Sequence, residues 1–309
     1  MKKGAAGAYV SVILAMTFWG FTFVLFKVAN ESFRPVSIVT LRLFVSIFFL
    51  FGFALAFKRL VRIKRKDQLW FILMALFEPF FYFLCEANGL TRVSATTAAV
   101  IISTIPLFTL IASRYFFGEK LTKLNMAGMA ISFAGVLLVI LKKGGGLAAD
   151  PLGILLMFGA VLCAVGYTLV VRKLVDDYNP ITITAYMSLY GLLMFLPIFL
   201  TRELPHLDPS AISTSSLLSV LYLGVVGSGI CFILVTIGIR ELGAARANIF
   251  ANIVPVVAAI VSFLLLHEAM PATKIMGIAV TILGLFLSQV SSLGPKFPVK
   301  RGFRHPPYS

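Results

Sequence analysis

Residues 95–122 read ATTAAVIISTIPLFTLIASRYFFGEKLT, and residues 245–270 read ARANIFANIVPVVAAIVSFLLLHEAM. Sliding the chain by 149 positions lays residues 90–141 on 239–290 without a gap. Identical residues then meet at Ala95/Ala244, Ala98/Ala247, Pro106/Pro255, Ile111/Ile260, Ser113/Ser262, Glu119/Glu268, Gly128/Gly277, Ala130/Ala279 and Gly135/Gly284. Each copy is an apolar run with a proline at its middle and a glutamate at its end. The repetition starts earlier: WGFTFVLFK (19–27) matches VGYTLVVRK (165–173), and Pro35 falls on Pro180. The chain is therefore written as two like halves.

A helix that crosses a bilayer needs about 20 predominantly apolar residues. Runs of that kind lie at 8–28, 36–57, 69–89, 94–114, 122–141, 151–171, 181–200, 216–238, 244–266 and 272–292, which makes ten spans, five per half. Apolar residues form 60% of the chain and charged ones 13%, with a mean hydropathy of +0.99. Soluble domains carry about 25% charged residues, so a soluble protein is excluded. The net charge of +15 sits in short loops between apolar runs rather than on one polar face, which speaks for a membrane protein and against nucleic acid. The first run follows Lys2 and Lys3 but is too long for a signal peptide, lacks a small-residue cleavage site and has a counterpart in the second half.

Five spans per half is an odd number, so the halves must lie upside down relative to each other. The basic residues agree. With the N-terminus in the cytoplasm, nineteen Lys and Arg fall inside and seven at the outer loops or boundary. KRLVRIKRKD (58–67) carries six of them and belongs inside, whereas its counterpart TRELPHLDPS (201–210) carries one and belongs outside. The expectation is an all-α membrane protein of ten transmembrane helices, arranged as two inverted five-helix repeats (8–141 and 151–292) around a central cavity. A basic, disordered tail (293–309) follows, and both termini face the cytoplasm of a bacterial inner membrane. Inverted repeats of this kind are the mark of secondary transporters, whose halves rock about a central site.

The repeated block with its second copy, and the WGFTFVLFK segment, resemble the EamA domain. Two such domains in tandem make the ten-span members of the drug/metabolite transporter superfamily. The resemblance covers about 8–292. It implies a pseudo-two-fold bundle whose cavity is lined chiefly by spans 1, 3, 4, 6, 8 and 9, and export or exchange of small metabolites; the expected cargo is zwitterionic or amphipathic, such as amino acids, moved by alternating access. The second half departs from the pattern where His267 replaces the usual glycine before Glu268, and where Val165 stands in the place of Trp19.

Several polar and kinking residues stand out within the spans. Pro79, Pro106 and Pro255 lie inside apolar runs, where proline removes a helix hydrogen bond and bends the span. Ser103 and Asn252 are equivalent under the 149 offset, each three residues before its proline, and Asn248 lies one turn before Asn252. Trp19 and Tyr167 lie at mid-depth in the first span of each half, away from the interfaces where aromatic belts sit. Glu78, Tyr82 and Glu86 follow at four-residue spacing in the third span, so a straight helix puts them on one face. That face must look into the bundle, because an acid in hydrocarbon is costly. Glu86 is shallow, at the level of Arg42 in span 2 and Lys27 at the end of span 1, so Arg42 and Glu86 are expected to pair at an outer gate. Glu78 lies roughly 12 Å deeper at 1.5 Å per residue, with no basic residue at its depth. It reads as a proton carrier or as the partner of a substrate amine, alongside a structural alternative in which it bonds a carbonyl freed near Pro79. The substrate cavity is thus expected at Trp19, Glu78, Tyr82, Ser103, Tyr167, Asn248 and Asn252.

Small residues at Gly128, Ser132 and Gly135 recur as Gly277, Thr281 and Gly284. They let helices approach closely, either within one chain or between the two copies of a homodimer. Glu119 and Glu268 are expected to cap the helix that follows each. The three histidines and three cysteines are scattered without metal-ligand spacing, and HExxH, GxSxG and Walker patterns are absent. No catalytic residue, metal or cofactor is expected. The expected partners are a small-molecule substrate and the lipid bilayer, with the chain a monomer or homodimer. A non-transporting scaffold or lipid-handling protein is the second reading, because loop 58–67 would suit anionic lipids.

Overall fold

The computed structural model describes residues 3–117, 121–141, 149–242, 247 and 249–290; Glu119, Asn248 and the tail 293–309 fall outside the described residues. Among these, nine apolar helices are long enough to cross a membrane: α1 (Ala6–Ala29), α2 (Pro35–Ala56), α3 (Arg65–Leu90), α4 (Ala95–Phe116), α5 (Lys123–Ile140), α6 (Pro151–Leu174), α7 (Pro180–His206), α8 (Thr214–Leu242) and α10 (Ala272–Gln289). The tenth apolar helix, α9 (Phe250–Leu266), is shorter. Helices α3, α7 and α8 outrun their apolar cores. In α7 the helix runs on through Thr201–His206, which hydropathy assigns to the loop. Hydropathy marks only the hydrocarbon-matched part of a helix, and the polar flank keeps winding because its backbone groups still need partners.

Local chemistry sets the helix starts. Pro35, Pro151 and Pro180 occupy first-turn positions, where a missing N–H costs nothing. Side chains of Ser94, Asp150, Asn179 and Ser213 accept from first-turn amides, and Thr122 with Asn125 forms a capping box.

Contacts at the helix ends establish the inversion. Ser37, at the start of α2, donates to Glu203 at the end of α7 (2.9 Å). At the opposite end of the bundle, the loop after α2 meets the start of α7: Val61 N–H donates to Thr182 Oγ1 (3.1 Å), and Asn179 Nδ2 to the Arg59 carbonyl (2.7 Å). α2 and its repeat counterpart α7 therefore run in opposite directions. Helix α1 of the first repeat packs on α8 and α9 of the second, and α6 packs on α3 and α4 in return.

The small-residue stripes are used within the chain. Helices α5 and α10 lie against each other, and a Cβ built on Gly128 would stand 2.2 Å from the Ser288 amide nitrogen. One built on Gly284 would stand 2.2 Å from that of Ser132. These faces are buried against each other and are not free for a second copy.

Glu268 caps a different helix from the one expected. It takes hydrogen bonds from Lys274 and Ser262 in its own repeat and from the Thr96 hydroxyl (3.0 Å) and amide (3.4 Å), so it caps the start of α4 across the repeat boundary. Burial pushes its carboxyl up, but the hydrogen bonds from Lys274 and Ser262 outweigh burial and hold it below the usual range. Lys27, expected beside Glu86, has Glu268 in electrostatic reach instead.

A charged cavity between the repeats

Among the described residues, four helices are interrupted in two repeat-related pairs, and α7 also widens near its end over Phe199–Glu203. The turns of α3 widen over Leu76–Phe81, with Glu78 out of helical geometry at φ −147° and ψ 117°. The turns of α8 widen over Leu223–Ile230, which covers the same place in the second repeat. Pro79 interrupts the first; in the second, Gly224, Gly227 and Gly229 stand in the turn without a proline. Helix α4 is broken at Ser103 and Thr104, just before Ile105 and Pro106. Helix α9 opens with a tighter turn at Ile249–Asn252, ahead of Ile253 and Pro255. Interruptions at matching places in two inverted halves free backbone groups at mid-depth, where such proteins hold ligands.

The interrupted segments surround a cavity of about 100 Å³, lined by residues of α1, α3, α4, α6, α8 and α9 together with Arg42 of α2. Trp19, Glu78, Tyr82, Ser103 and Tyr167 of the expected set line it, and so do Arg42, Glu86 and Pro106. Asn252 does not, although its neighbours Ala251 and Val254 do; its side-chain oxygen is buried and finds no partner among the described residues. Pro79 packs instead against Gly191 of α7, where a Cβ would stand 2.2 Å from the proline ring. Thr22, Phe23, Phe83 and Phe232 are walls that sequence reasoning missed. The signal for Thr22 was present, because it matches Thr168 in the repeated WGFTFVLFK segment and both line the cavity.

Aromatic packing fixes the walls. Trp19 donates through Nε1 to the Gly227 carbonyl (3.0 Å) in the widened turn of α8. Its ring meets Phe232 edge-on at 5.2 Å, and Tyr167 meets the same ring at 6.0 Å.

Three charged side chains share this space and are nearly buried: Arg42 is 4% exposed, Glu86 6% and Glu78 7%. Arg42 Nη1 lies 3.9 Å from Glu86 Oε2, its Nε donates to Ser228 Oγ (2.9 Å), and its Cζ sits 4.2 Å from the centre of the Phe83 ring. Tyr82 O–H donates to Glu86 Oε1 (2.9 Å). Among the described residues, Glu78 has no hydrogen bond. The break at Glu78 means that the straight-helix depth estimate does not hold, and Arg42 comes within electrostatic reach of Glu78 as well as Glu86. Glu86→Gln is expected to destabilise the fold by about 3 kcal/mol, because it strands a buried guanidinium. Adding Arg42→Gln should restore part of that loss; a double variant as unstable as the sum of the singles in thermal unfolding would contradict the pairing.

Two inverted five-helix halves whose interrupted helices meet around a charged cavity are an architecture of multi-pass membrane transporters. The EamA-like transporter family model matches residues 6–141 and again 151–289, and the chain belongs to that family. It is 27% identical over 299 residues to the uncharacterized transporter YetK of Bacillus subtilis (strain 168), with 96% of this chain and 90% of the relative covered. It is 28% identical over 289 residues to the uncharacterized inner membrane transporter YedA of Escherichia coli (strain K12), covering 91% of this chain and 90% of that protein. A protein named as a probable terminal-alkyne amino-acid exporter, from Streptantibioticus cattleyicolor, is 26% identical over 222 residues, 68% of this chain and 73% of its own length. One solved crystal structure shares the fold at a TM-score of 0.70 and 17% identity, covering 92% of this chain and 98% of that one.

Proposed function

We propose that the protein is a secondary transporter that exports or exchanges small, amine-bearing, largely apolar metabolites across a bacterial cytoplasmic membrane, by alternating access of the cavity to the two sides. The observation that carries this reading is Glu78: a nearly buried carboxyl that lines the cavity among aromatic walls and makes no hydrogen bond among the described residues. A carboxylate so placed is costly until a cation or proton neutralises it. A substrate ammonium and a proton are then alternative occupants of one site, and their exchange couples a proton entering to a substrate leaving. The amino-acid substrate in the name of the Streptantibioticus relative fits an amine-bearing cargo.

Proteoliposomes test this. Counterflow of radiolabelled amino acids and amines, with a panel of neutral and acidic metabolites beside them, is expected to show saturable exchange for amine-bearing members only. Exchange confined to acidic metabolites, or none for any member, would contradict the reading; in the second case the scaffold alternative gains. The direction of travel needs the orientation. Single cysteines at 62 and 206 in a Cys-free background are expected to be shielded from and open to an impermeant reagent on whole cells, respectively, because the basic loop 58–67 belongs in the cytoplasm. Labelling at 62 but not at 206 reverses it.

A further inference from the structure

Arg42 is the one residue of α2 among the described residues that line the cavity. A guanidinium carries five N–H donors in a flat fork. The Nε–H goes to Ser228 Oγ at 2.9 Å. The Nη1 contact to Glu86 at 3.9 Å is electrostatic and too long for a hydrogen bond. Among the described residues, Nη1 and Nη2 donate to nothing, although the side chain is 4% exposed. Glu86 is meanwhile engaged by Tyr82. The Phe83 ring covers one face of the fork. At its edge lies Gly227, the repeat counterpart of Glu78, where a Cβ would stand 3.2 Å from Nη2. The second repeat thus has a glycine where the first has its acid, and the space goes to the guanidinium.

Arg42 lines the cavity, so an acceptor entering it can take the free donors of this nearly buried fork, and a hydrogen bond to a charged group is among the stronger ones. The acceptor that matches a planar two-nitrogen edge is a carboxylate, held by two parallel bonds. We propose that the Nη1–Nη2 edge of Arg42 is a carboxylate subsite, so that the cavity takes zwitterions, with an amine toward Glu78 and a carboxylate toward Arg42, in preference to plain amines. This rests on the amine reading above and narrows it. Arg42 is then a specificity-determining residue: it turns part of its charge from Glu86 to the ligand, and Gly227 leaves it room to do so.

The test uses matched trios: leucine, 3-methylbutylamine and 4-methylpentanoate, and likewise phenylalanine, phenethylamine and 3-phenylpropanoate. Affinities are measured by calorimetry on the full chain in nanodiscs. The parent is expected to bind at least one amino acid about tenfold tighter than its amine. Arg42→Lys keeps a charge beside Glu86 but loses the fork, and should bring the two affinities together. Gly227→Ala crowds Nη2 without altering any charge, and should narrow the gap even if the lysine variant does not fold. Equal affinity of the parent for amino acid and amine would overturn the carboxylate subsite and leave the amine reading standing. Tightest binding of the carboxylate-only member, or binding of no member, would overturn both. A full preference retained in Gly227→Ala and in a folded Arg42→Lys would assign the discrimination elsewhere.

Discussion

Gly128→Ala and Gly284→Ala are each expected to destabilise the protein by about 1–3 kcal/mol, the usual cost of forcing atoms into a filled interior. The new methyl of the first would stand 2.2 Å from the Ser288 nitrogen, 2.6 Å from its Cα and 2.7 Å from the Gly284 carbonyl; that of the second meets Ser132 and the Gly128 carbonyl at the same distances. All of these are backbone atoms, so no side chain can swing away and α5 must part from α10. One separation makes room for both methyls, so the double variant should cost less than the sum of the singles. Gly52, in α2, has no atom beyond its chain neighbours and its own helix backbone within 4 Å of where its Cβ would be, and Gly52→Ala serves as the control with little effect. Thermal unfolding in one detergent compares the four variants with the parent. Gly128→Ala unfolding together with the Gly52→Ala control would mean that α5 and α10 do not meet as described, and would return the small-residue stripe to the role of a dimer contact.

Much of the fold was legible because a membrane leaves the backbone few options. The 149-residue offset, the five spans per half and the bias of basic residues sufficed for an inverted pair of five-helix repeats. The breaks at Pro79 and just before Pro106 could be foreseen from proline chemistry, whereas Pro255 stands in the first turn of the regular helix Ile253–Leu266. The matching break in α8 carries no such signal, since it rests on three glycines in LGVVGSGI (223–230) rather than on a proline, and glycine in an apolar run reads as close packing too. What sequence could not supply was which surfaces meet. The small-residue stripes fitted an internal or an external partner equally well until α5 and α10 were seen together. Glu268 caps α4 from the other repeat, a contact 172 positions away in the chain. The spacing of Glu78, Tyr82 and Glu86 assumed a straight helix. All three do line one cavity, but by way of a break at Glu78 that also brings Arg42 within reach of both acids.

Glu78→Gln is expected to remove the coupling between transport and a pH gradient while leaving a folded protein. Glutamine keeps the shape and a polar tip, so the cavity walls and the Arg42–Glu86 contact stay in place. It can neither neutralise a substrate ammonium nor release a proton. The two occupants that compete for Glu78 in the parent therefore lose their common site, and with it the reason one should move against the other. Binding of an amine substrate should weaken about tenfold or more, as for loss of a charge-assisted hydrogen bond. Glu86→Gln, by contrast, should act mainly on stability, because Glu86 is already engaged by Tyr82 and Arg42. The decisive measurement is efflux of an amine-bearing substrate from proteoliposomes, with and without an imposed pH gradient, for the parent and Glu78→Gln side by side. The gradient should accelerate efflux several-fold in the parent, by about the ratio of proton concentrations it provides at most, and should leave Glu78→Gln unchanged. An equal response in both proteins would make Glu78 a structural residue and contradict the account.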